Sequence, residues 1–260
     1  MIAARSGFNG VAMFTLIKRE MVRSLKIINQ VIWPPVITTL LYVTIFGLAL
    51  GSRIKNVQGV SYAEFLIPGL IMLQVIDSSY GECSSSVFQG RFMNSIQEML
   101  IAPMSAAEMI FGYILGSVSR ALVIANIIMA LGFFFVHTIP SNWLLYFGVM
   151  IEVSILFSAL GIIFGLLAEK FDHIAILTTF AITPLVFVGG VFTSAQLLPA
   201  QLRNWELLNP MFYTVDAFRY SYTAHSYLPL WASLGAITAL TAIALGIALR
   251  MAYAGYKLRT

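Results

Sequence analysis

"WLLYFGVMIEVSILFSALGIIFGLLA", residues 143–168, is an almost unbroken apolar run in which Glu152 is the only charged residue. An α-helix needs about 20 apolar residues to cross the roughly 30 Å hydrocarbon core of a bilayer. The run is continuously apolar and does not alternate every second residue, so it does not fit a strand of a membrane β-barrel. This stretch therefore predicts a transmembrane α-helix.

The composition extends this prediction to the whole chain. Hydrophobic residues make up 59% of the 260 positions and charged residues only 10%, which leaves too few charges to cover a soluble globule. We therefore expect an all-α integral membrane protein, formed as one domain over residues 1–260. Six predicted spans are residues 33–50, 65–87, 109–136, 143–168, 174–191 and 231–251.

The positive charges predict how this bundle is oriented. Ten Lys and Arg residues fall in segments that six crossings place on the side of the N-terminus, against four on the other side. Cytoplasmic loops carry the excess of positive charge, so both termini are expected in the cytoplasm. The ten are Arg5, Lys18, Arg19, Arg23, Lys26, Arg91, Lys170, Arg250, Lys257 and Arg259; the four are Arg53, Lys55, Arg203 and Arg219. A multi-pass protein of a bacterial inner membrane is the predicted localisation.

An amphipathic helix is predicted in residues 1–30, ahead of the six-span bundle of residues 31–260. Apolar residues recur there at helical spacing, and most of the basic residues fall between them. Such a helix lies at the membrane interface with its basic face toward anionic head groups, although it could also be a helix that merely floats on the membrane. The apolar positions are Phe14, Ile17, Met21, Leu25 and Ile28.

A second amphipathic segment lies in "GRFMNSIQEMLIAPMSAAEMIFG", residues 90–112, between spans two and three. Phe92, Ile96 and Met99 recur at helical spacing while Gln97 and Glu98 face elsewhere, and Pro103 disfavours helix at the residue before it. These residues predict a short helix along the cytoplasmic surface. A simple connector is the alternative, whereas exposed acid and amide groups suit a soluble partner.

Three longer patterns carry a family resemblance. They are "FMNSIQEMLIAPMSAAEMIFGYILG" at 92–116, "YAEFLIPGLIM" at 62–72 and "LLNPMFYTVDAFRY" at 207–220. With them the chain resembles, over essentially its whole length, the membrane permeases of type-2 ABC exporters, and within these the YadH-like bacterial subfamily. Further matching patterns are "PPVITTLLYVTIFGLALGSRI" at 34–54 and "FVGGVF" at 187–192.

The resemblance implies an architecture and partners. It implies six spans, an N-terminal interfacial helix, a cytoplasmic coupling helix and a partly re-entrant outer helical hairpin. It also implies a homodimer resting on two cytoplasmic ABC ATPase subunits, surrounded by membrane lipids, with no nucleic acid. The residues expected to couple the chain to the ATPase are Gln97, Glu98, Met99, Leu100, Pro103, Lys170 and Asp172.

The sequence contains no G-x-x-x-x-G-K-[ST] phosphate-binding loop. We therefore expect a transport subunit without enzymatic activity, and ATP and Mg²⁺ are expected to act through the partner ATPase and not to bind this chain. His137, His173 and His225 do not have the spacing of metal ligands, so no metal site is predicted. The expected function is export of an amphiphilic, lipid-like or glycan-like substrate from the cytoplasm or the inner leaflet.

The region 192–230 is predicted to form an outer hairpin of two short helices that dips into the outer leaflet. Pro199, Asn209 and Pro210 interrupt it, and irregular backbone at membrane depth must be covered by protein or wet. We expect Asn209, Pro210, Phe212 and Tyr213 near the exit of the transport pathway. A purely structural cap, or an aromatic belt at the interface, is the alternative.

Ionisable residues inside the spans predict an ion pair. Arg120 lies about 18 Å from the inner start of span three, and Glu152 lies at similar depth in span four. We expect these two to pair, with Asp77 as the competing partner, because isolated buried charge is costly. The pair could be a structural clamp or part of transport. A proton-coupled secondary carrier using Asp77, Arg120 and Glu152 is the alternative function.

Overall fold

The computed structural model describes residues 9–48, 51, 57, 59–93, 104–195 and 199–257, and within this part of the chain the only β pairing is a bridge between Val57 and Val60. All other regular structure there is helical. The helices are α1 (Gly10–Lys26), α2 (Ile28–Tyr42), α3 (Tyr62–Phe92), α4 (Ala106–Val136), α5 (Trp143–Leu167), α6 (Phe171–Val191), α7 (Ala200–Leu208), α8 (Pro210–Thr223) and α9 (Leu230–Tyr253). A π-helical turn, Val43–Leu48, extends α2, and α6 contains two further π-helical turns.

Five of the described helices are long and apolar enough to cross a membrane, namely α2 with its extension, α4, α5, α6 and α9. They coincide with five of the six predicted spans. The predicted second span, 65–87, lies inside α3, which has 31 residues but a more polar sequence. The sixth crossing therefore stays a prediction.

The position of α3 accounts for its polar residues. It packs against α4, α5 and α8, so most of its side chains meet protein and not lipid. Serines at positions 84 and 86 are buried on it, and Ser84 donates a hydrogen bond of 2.7 Å to the carbonyl of Tyr80. A helix at the centre of a bundle needs less apolar character than one that faces lipid.

Large apolar side chains cover the outside of the bundle. Leu144 on α5 is 85% exposed, while Phe134 on α4 and Trp231 on α9 are each 77% exposed. A soluble monomer rarely shows such a continuous apolar surface, because water would drive it to associate. A hydrocarbon environment around these helices removes that penalty.

Polar caps define where several helices begin. Ser61 and Glu64 form a capping box at the start of α3, and Ser105 and Glu108 form another at α4. Each box satisfies backbone N–H groups that have no partner within the helix. The caps lengthen both helices by three residues beyond the apolar runs from which the spans were predicted.

The predicted N-terminal amphipathic helix is present as α1, and it packs along α4. Leu16 lies against Gly112 and Glu20 against Gly116, so the two helices advance in the same direction. A separate helix, α2, starts at Ile28, five residues before the predicted first span. Its prolines at positions 34 and 35 consequently lie inside the helix and not in its first turn.

Two glycines bring α5 very close to α3. A Cβ atom added at Gly161 would lie 2.7 Å from the carbonyl oxygen of Tyr80, and one added at Gly165 would lie 2.8 Å from that of Ser84. Small residues four apart on one face let helix backbones approach in membrane proteins. At this crossing the backbones of α5 and α3 are in direct contact.

Candidate functional site

The residues predicted to contact an ATPase fall in two groups. Gln97, Glu98, Met99, Leu100 and Pro103 lie outside the described residues. Lys170 and Asp172 are described, and both are exposed at the start of α6. The structure also describes both flanks of the 94–103 segment.

On the first flank, Arg91 joins the end of α3 to the end of α5. Its Nη1 atom donates hydrogen bonds of 3.1, 2.8 and 3.0 Å to the carbonyl oxygens of Gly165, Leu166 and Ala168. A cation at a helix C-terminus satisfies carbonyls that have no intrahelical partner. Arg91 thereby holds the end of α3 beside the loop that carries Lys170.

On the second flank, Glu108 joins the start of α4 to the start of α1. Its carboxylate accepts a hydrogen bond of 2.7 Å from the backbone N–H of Ser105 and another from that of Asn9. The Asn9 side chain in turn accepts one of 3.1 Å from the N–H of Ala12 and caps α1. Each flank of the 94–103 segment is therefore attached by hydrogen bonds to another helix.

A buried charge network links α1, α3 and α4. Glu82 on α3 is 4% exposed and forms ion pairs with Arg23 of α1 and with Arg120 of α4. Arg23 also pairs with Glu20 at 3.0 Å, and Ser86 donates a hydrogen bond of 2.8 Å to the same carboxylate. We call Glu20, Arg23, Glu82, Ser86 and Arg120 the inner charge network.

The predicted pair of Arg120 with Glu152 is not formed in the structure. Arg120 pairs with Glu82 instead, while Glu152 accepts a hydrogen bond of 2.5 Å from the Thr238 hydroxyl on α9. The count of residues along each helix gave a depth but not the side of the helix on which each charge lies. Asp77, the competing partner, has no ion pair within the described residues and lines a cleft described below.

The region of the predicted outer hairpin contains two short helices, α7 and α8, with a break at Asn209 and Pro210; its dip into the outer leaflet stays a prediction. Asn209 is 5% exposed; its amide donates a hydrogen bond of 2.6 Å to the Leu185 carbonyl, and its side-chain oxygen caps α8. The Tyr213 hydroxyl donates to the Leu207 carbonyl at 2.8 Å. Asn209 thus fixes the hairpin to α6.

Arg219 is the main anchor of α8. It is 2% exposed, and it donates hydrogen bonds to the carbonyls of Gly190 at 2.6 Å and Phe65 at 3.4 Å. Its guanidinium also lies 3.7 Å from the centre of the Phe65 ring, a cation–π contact. Gly190 has φ +87°, a conformation that glycine adopts without strain.

Glu206 on α7 is a second buried charge in the hairpin. It is fully buried, and neither carboxylate oxygen has a hydrogen-bond partner among the described residues. Burial raises the pKa of Glu206 from its ordinary 4.5 to about 7, against the smaller opposite effect of Arg219. The group is therefore close to half-protonated at neutral pH.

Replacing Glu206 should have a pH-dependent effect on stability. Because its folded pKa lies above its unfolded pKa, the stability from burying the neutral acid is complete below about pH 4.5 and is lost as the pH rises through 7. Glu206→Gln is expected to raise the thermal midpoint by about 3–5 °C at pH 8 and to change it little at pH 5. The matched control is Glu169→Gln at an exposed site. Equal shifts at both pH values would contradict this reasoning.

Comparison with known proteins identifies the family. Residues 11–223 match the ABC-2 type transporter family. The chain belongs to that family. It is also 37% identical, over 227 residues, to the inner membrane transport permease YadH of Escherichia coli (strain K12), a match that covers 87% of this chain and 89% of that protein. Nodulation protein J of Neorhizobium galegae is 27% identical over 203 residues, 76% of each chain.

Membership in the ABC-2 family confirms the resemblance seen in the sequence. Together with the five apolar helices, it makes the chain a multi-pass transport permease of a bacterial inner membrane. The family is one of transport subunits and not of enzymes. It also implies association with an ABC ATPase.

Three buried charged features of this permease were not predicted from the sequence. The sequence predicted Glu152 or Asp77 as the partner of Arg120 and did not indicate Glu82, and it indicated Arg23 only as one of the inner positive charges. A signal was present, because Glu20 is the one acid among the basic residues of α1. Arg219 was counted as an outer charge although it is buried.

Proposed function

We propose that this ABC-2 permease is the membrane-spanning subunit of an ATP-driven exporter that moves an amphiphilic, lipid-like or glycan-like substrate out of the cytoplasm or the inner leaflet. The observation that carries the proposal is the attachment of both flanks of the 94–103 segment, through Arg91 to α5 and through Glu108 to α1. A push on that segment reaches four helices without any long flexible connection: α3 and α4 directly, and α5 and α1 through these contacts. Hinge and shear movements of packed helices operate in this way.

The partners follow from the same arrangement. Two ATPase subunits bind beneath a homodimer of the permease, both termini lie in the cytoplasm, and the 94–103 segment is the coupling helix. Lys170 and Asp172 support its contact with the ATPase because both are exposed next to the loop that Arg91 holds. ATP and Mg²⁺ are bound by the ATPase subunits.

The inner charge network is the part of the permease that transmits this movement. Both of its carboxylates are almost completely buried, and Glu82 of α3 binds one arginine of α1 and one of α4, so these three helices move together. A proton-coupled carrier using Asp77, Arg120 and Glu152 has less support. The structure gives Arg120 and Glu152 different partners on different helices.

The test is reconstitution of the permease with its ATPase in liposomes. ATP hydrolysis should increase when the permease is present, and transport should require ATP and Mg²⁺ and not a proton gradient. Glu98→Arg, which reverses a charge predicted to face the ATPase, should lower co-purification of the ATPase at least tenfold, and Glu98→Gln should have a smaller effect. Membrane insertion and elution volume should be unchanged. Transport by the permease alone under a proton gradient would contradict the proposal.

A further inference from the structure

A polar cleft opens between α2, α3 and α6. Together with the open solvent at its mouth it has a volume of about 600 Å³, and its walls combine apolar side chains with hydroxyl, amide and carboxylate groups from all three helices. Seven of its twelve lining residues are apolar and five are polar. The polar lining residues are Thr38 and Tyr42 on α2, Gln74 and Asp77 on α3, and Thr183 on α6.

Asp77 is the only charged residue among those that line this cleft. It is 15 residues from each end of α3, or about 22 Å along the helix axis in both directions. Its side chain is exposed, and within the described residues it makes no hydrogen bond and no ion pair. The charge of Arg120 acts on Asp77, but Arg120 forms its ion pair with the Glu82 carboxylate.

Asp77 lies within the predicted second span, 65–87, and an exposed carboxylate at the middle of such a span loses much hydration energy if it faces lipid. It must therefore face water, a second protein chain or a bound cation. The backbone of the cleft wall favours a wet or ligand-filled space, because Pro34 and Pro35 lack N–H groups and α6 departs from α-helical geometry on both sides of Thr183. The cleft therefore has the properties of a binding site.

The remaining lining favours a cationic ligand with an apolar body. Tyr42 and Phe187 both line the cleft and contact each other edge to face, with ring centres 5.9 Å apart. Aromatic faces attract cations, and the attraction is stronger away from water. The carboxylate, the hydroxyl oxygens and the aromatic rings all favour positive charge, while no lining residue of the cleft carries a positive charge.

We propose that this cleft binds the cationic group of an amphiphilic substrate, with Asp77 as its counter-ion and the aromatic pair Tyr42 and Phe187 beside it. The inference rests on the proposed export function and narrows its substrate class to compounds that carry a positive charge on an apolar body. Gln74 and Thr183 orient the charged group through hydrogen bonds. Neutral and anionic amphiphiles of the same size bind this cleft more weakly.

The test uses two ions of nearly equal size and opposite charge, tetraphenylphosphonium and tetraphenylborate. Their binding to the purified permease in lipid nanodiscs is measured at equilibrium, without ATPase or ATP. The permease should bind tetraphenylphosphonium saturably and tetraphenylborate only as empty nanodiscs do. Asp77→Asn should lower the affinity for the cation at least tenfold, and Asp77→Glu should retain most of it.

Glu152→Gln is the matched control, since it removes a carboxylate of another helix that does not line the cleft. It should leave cation binding unchanged. Equal saturable binding of both ions, or unchanged cation binding by a folded Asp77→Asn, would overturn the proposal. The proposal would also be overturned if Asp77→Asn abolished cross-linking between two copies of the permease but left cation binding intact. Asp77 would then pair with a second copy and not with a ligand. A third result is possible: the permease binds the cation through Asp77 but does not transport with ATP. That result would contradict only the exporter function and not the binding site.

Discussion

Gly161→Leu is expected to abolish folded permease, because leucine cannot fit where α5 crosses α3. A Cβ atom at this position would lie 2.7 Å from the Tyr80 carbonyl and 3.0 Å from the Cβ of Cys83. The nearest atom belongs to backbone, so no rotation of a side chain relieves the contact. Overpacking of a close-packed site costs about 1–3 kcal/mol, and more where the backbone must move. The measurement is the monodisperse fraction of fluorescently tagged protein in size-exclusion chromatography.

Gly148→Leu is the matched control on the same helix. No atom lies within 4 Å of a Cβ added there, and the position is exposed on the apolar surface of the bundle. Its folded fraction should equal that of the unchanged chain, since a leucine that faces lipid has no steric cost. If both glycine variants fold equally well, the close approach of α5 to α3 is not needed for the fold.

The apolar runs predicted the helices well because hydrocarbon thickness sets a minimum length that few other structures satisfy. The fourth predicted span, 143–168, differs from α5 by one residue. The helix α3 begins three residues before the predicted second span, since Ser61 and Glu64 form a capping box ahead of the apolar residues. Hydropathy does not measure hydrogen bonding at helix ends, so it places boundaries less well than it detects helices.

Lateral contacts were harder to predict than depth. The rise per residue placed Arg120 and Glu152 at similar depth, and the structure pairs Arg120 with Glu82. An apolar span has little amphipathic pattern, so its sequence contains little information about which neighbour each face meets. The break of the outer hairpin at Asn209 was predictable, because its signal was local: a capping residue followed by proline.

The glycines show the same limit. Gly161 and Gly165 have the spacing of small residues at a helix contact, yet the sequence alone does not identify α3 as the helix that they meet. Many weak packing interactions together determine which spans contact each other. The structure is therefore needed to identify the residues that meet.

The inner charge network should respond asymmetrically to removal of its members. Glu82 is bound by Arg23, Arg120 and Ser24, so Arg120→Leu leaves that carboxylate with two partners. Glu82→Leu, by contrast, removes the ion-pair partner of Arg120 and one partner of Arg23. Breaking a buried pair costs about 3–5 kcal/mol when one charge is left without compensation. Glu82→Leu should therefore lower the folded yield and thermal midpoint more than Arg120→Leu.

The double replacement of Glu82 and Arg120 by leucine should recover part of the loss, because apolar packing can replace a buried pair at little cost. Combining Arg120→Leu with Glu152→Leu is the control; those losses should add to within about 0.5 kcal/mol, since the two residues have separate partners. If the folded yield recovered in the Arg120→Leu, Glu152→Leu variant and not in the Glu82→Leu, Arg120→Leu variant, the pairing of Arg120 with Glu82 would be wrong. If the Glu82 double variant folds normally but no longer stimulates ATP hydrolysis by the partner, the pair transmits movement between α3 and α4 and is more than a clamp. If this variant stimulates ATP hydrolysis normally, the pair of Glu82 and Arg120 only holds α3 and α4 together. Movement would then be transmitted by Glu20 and Arg23.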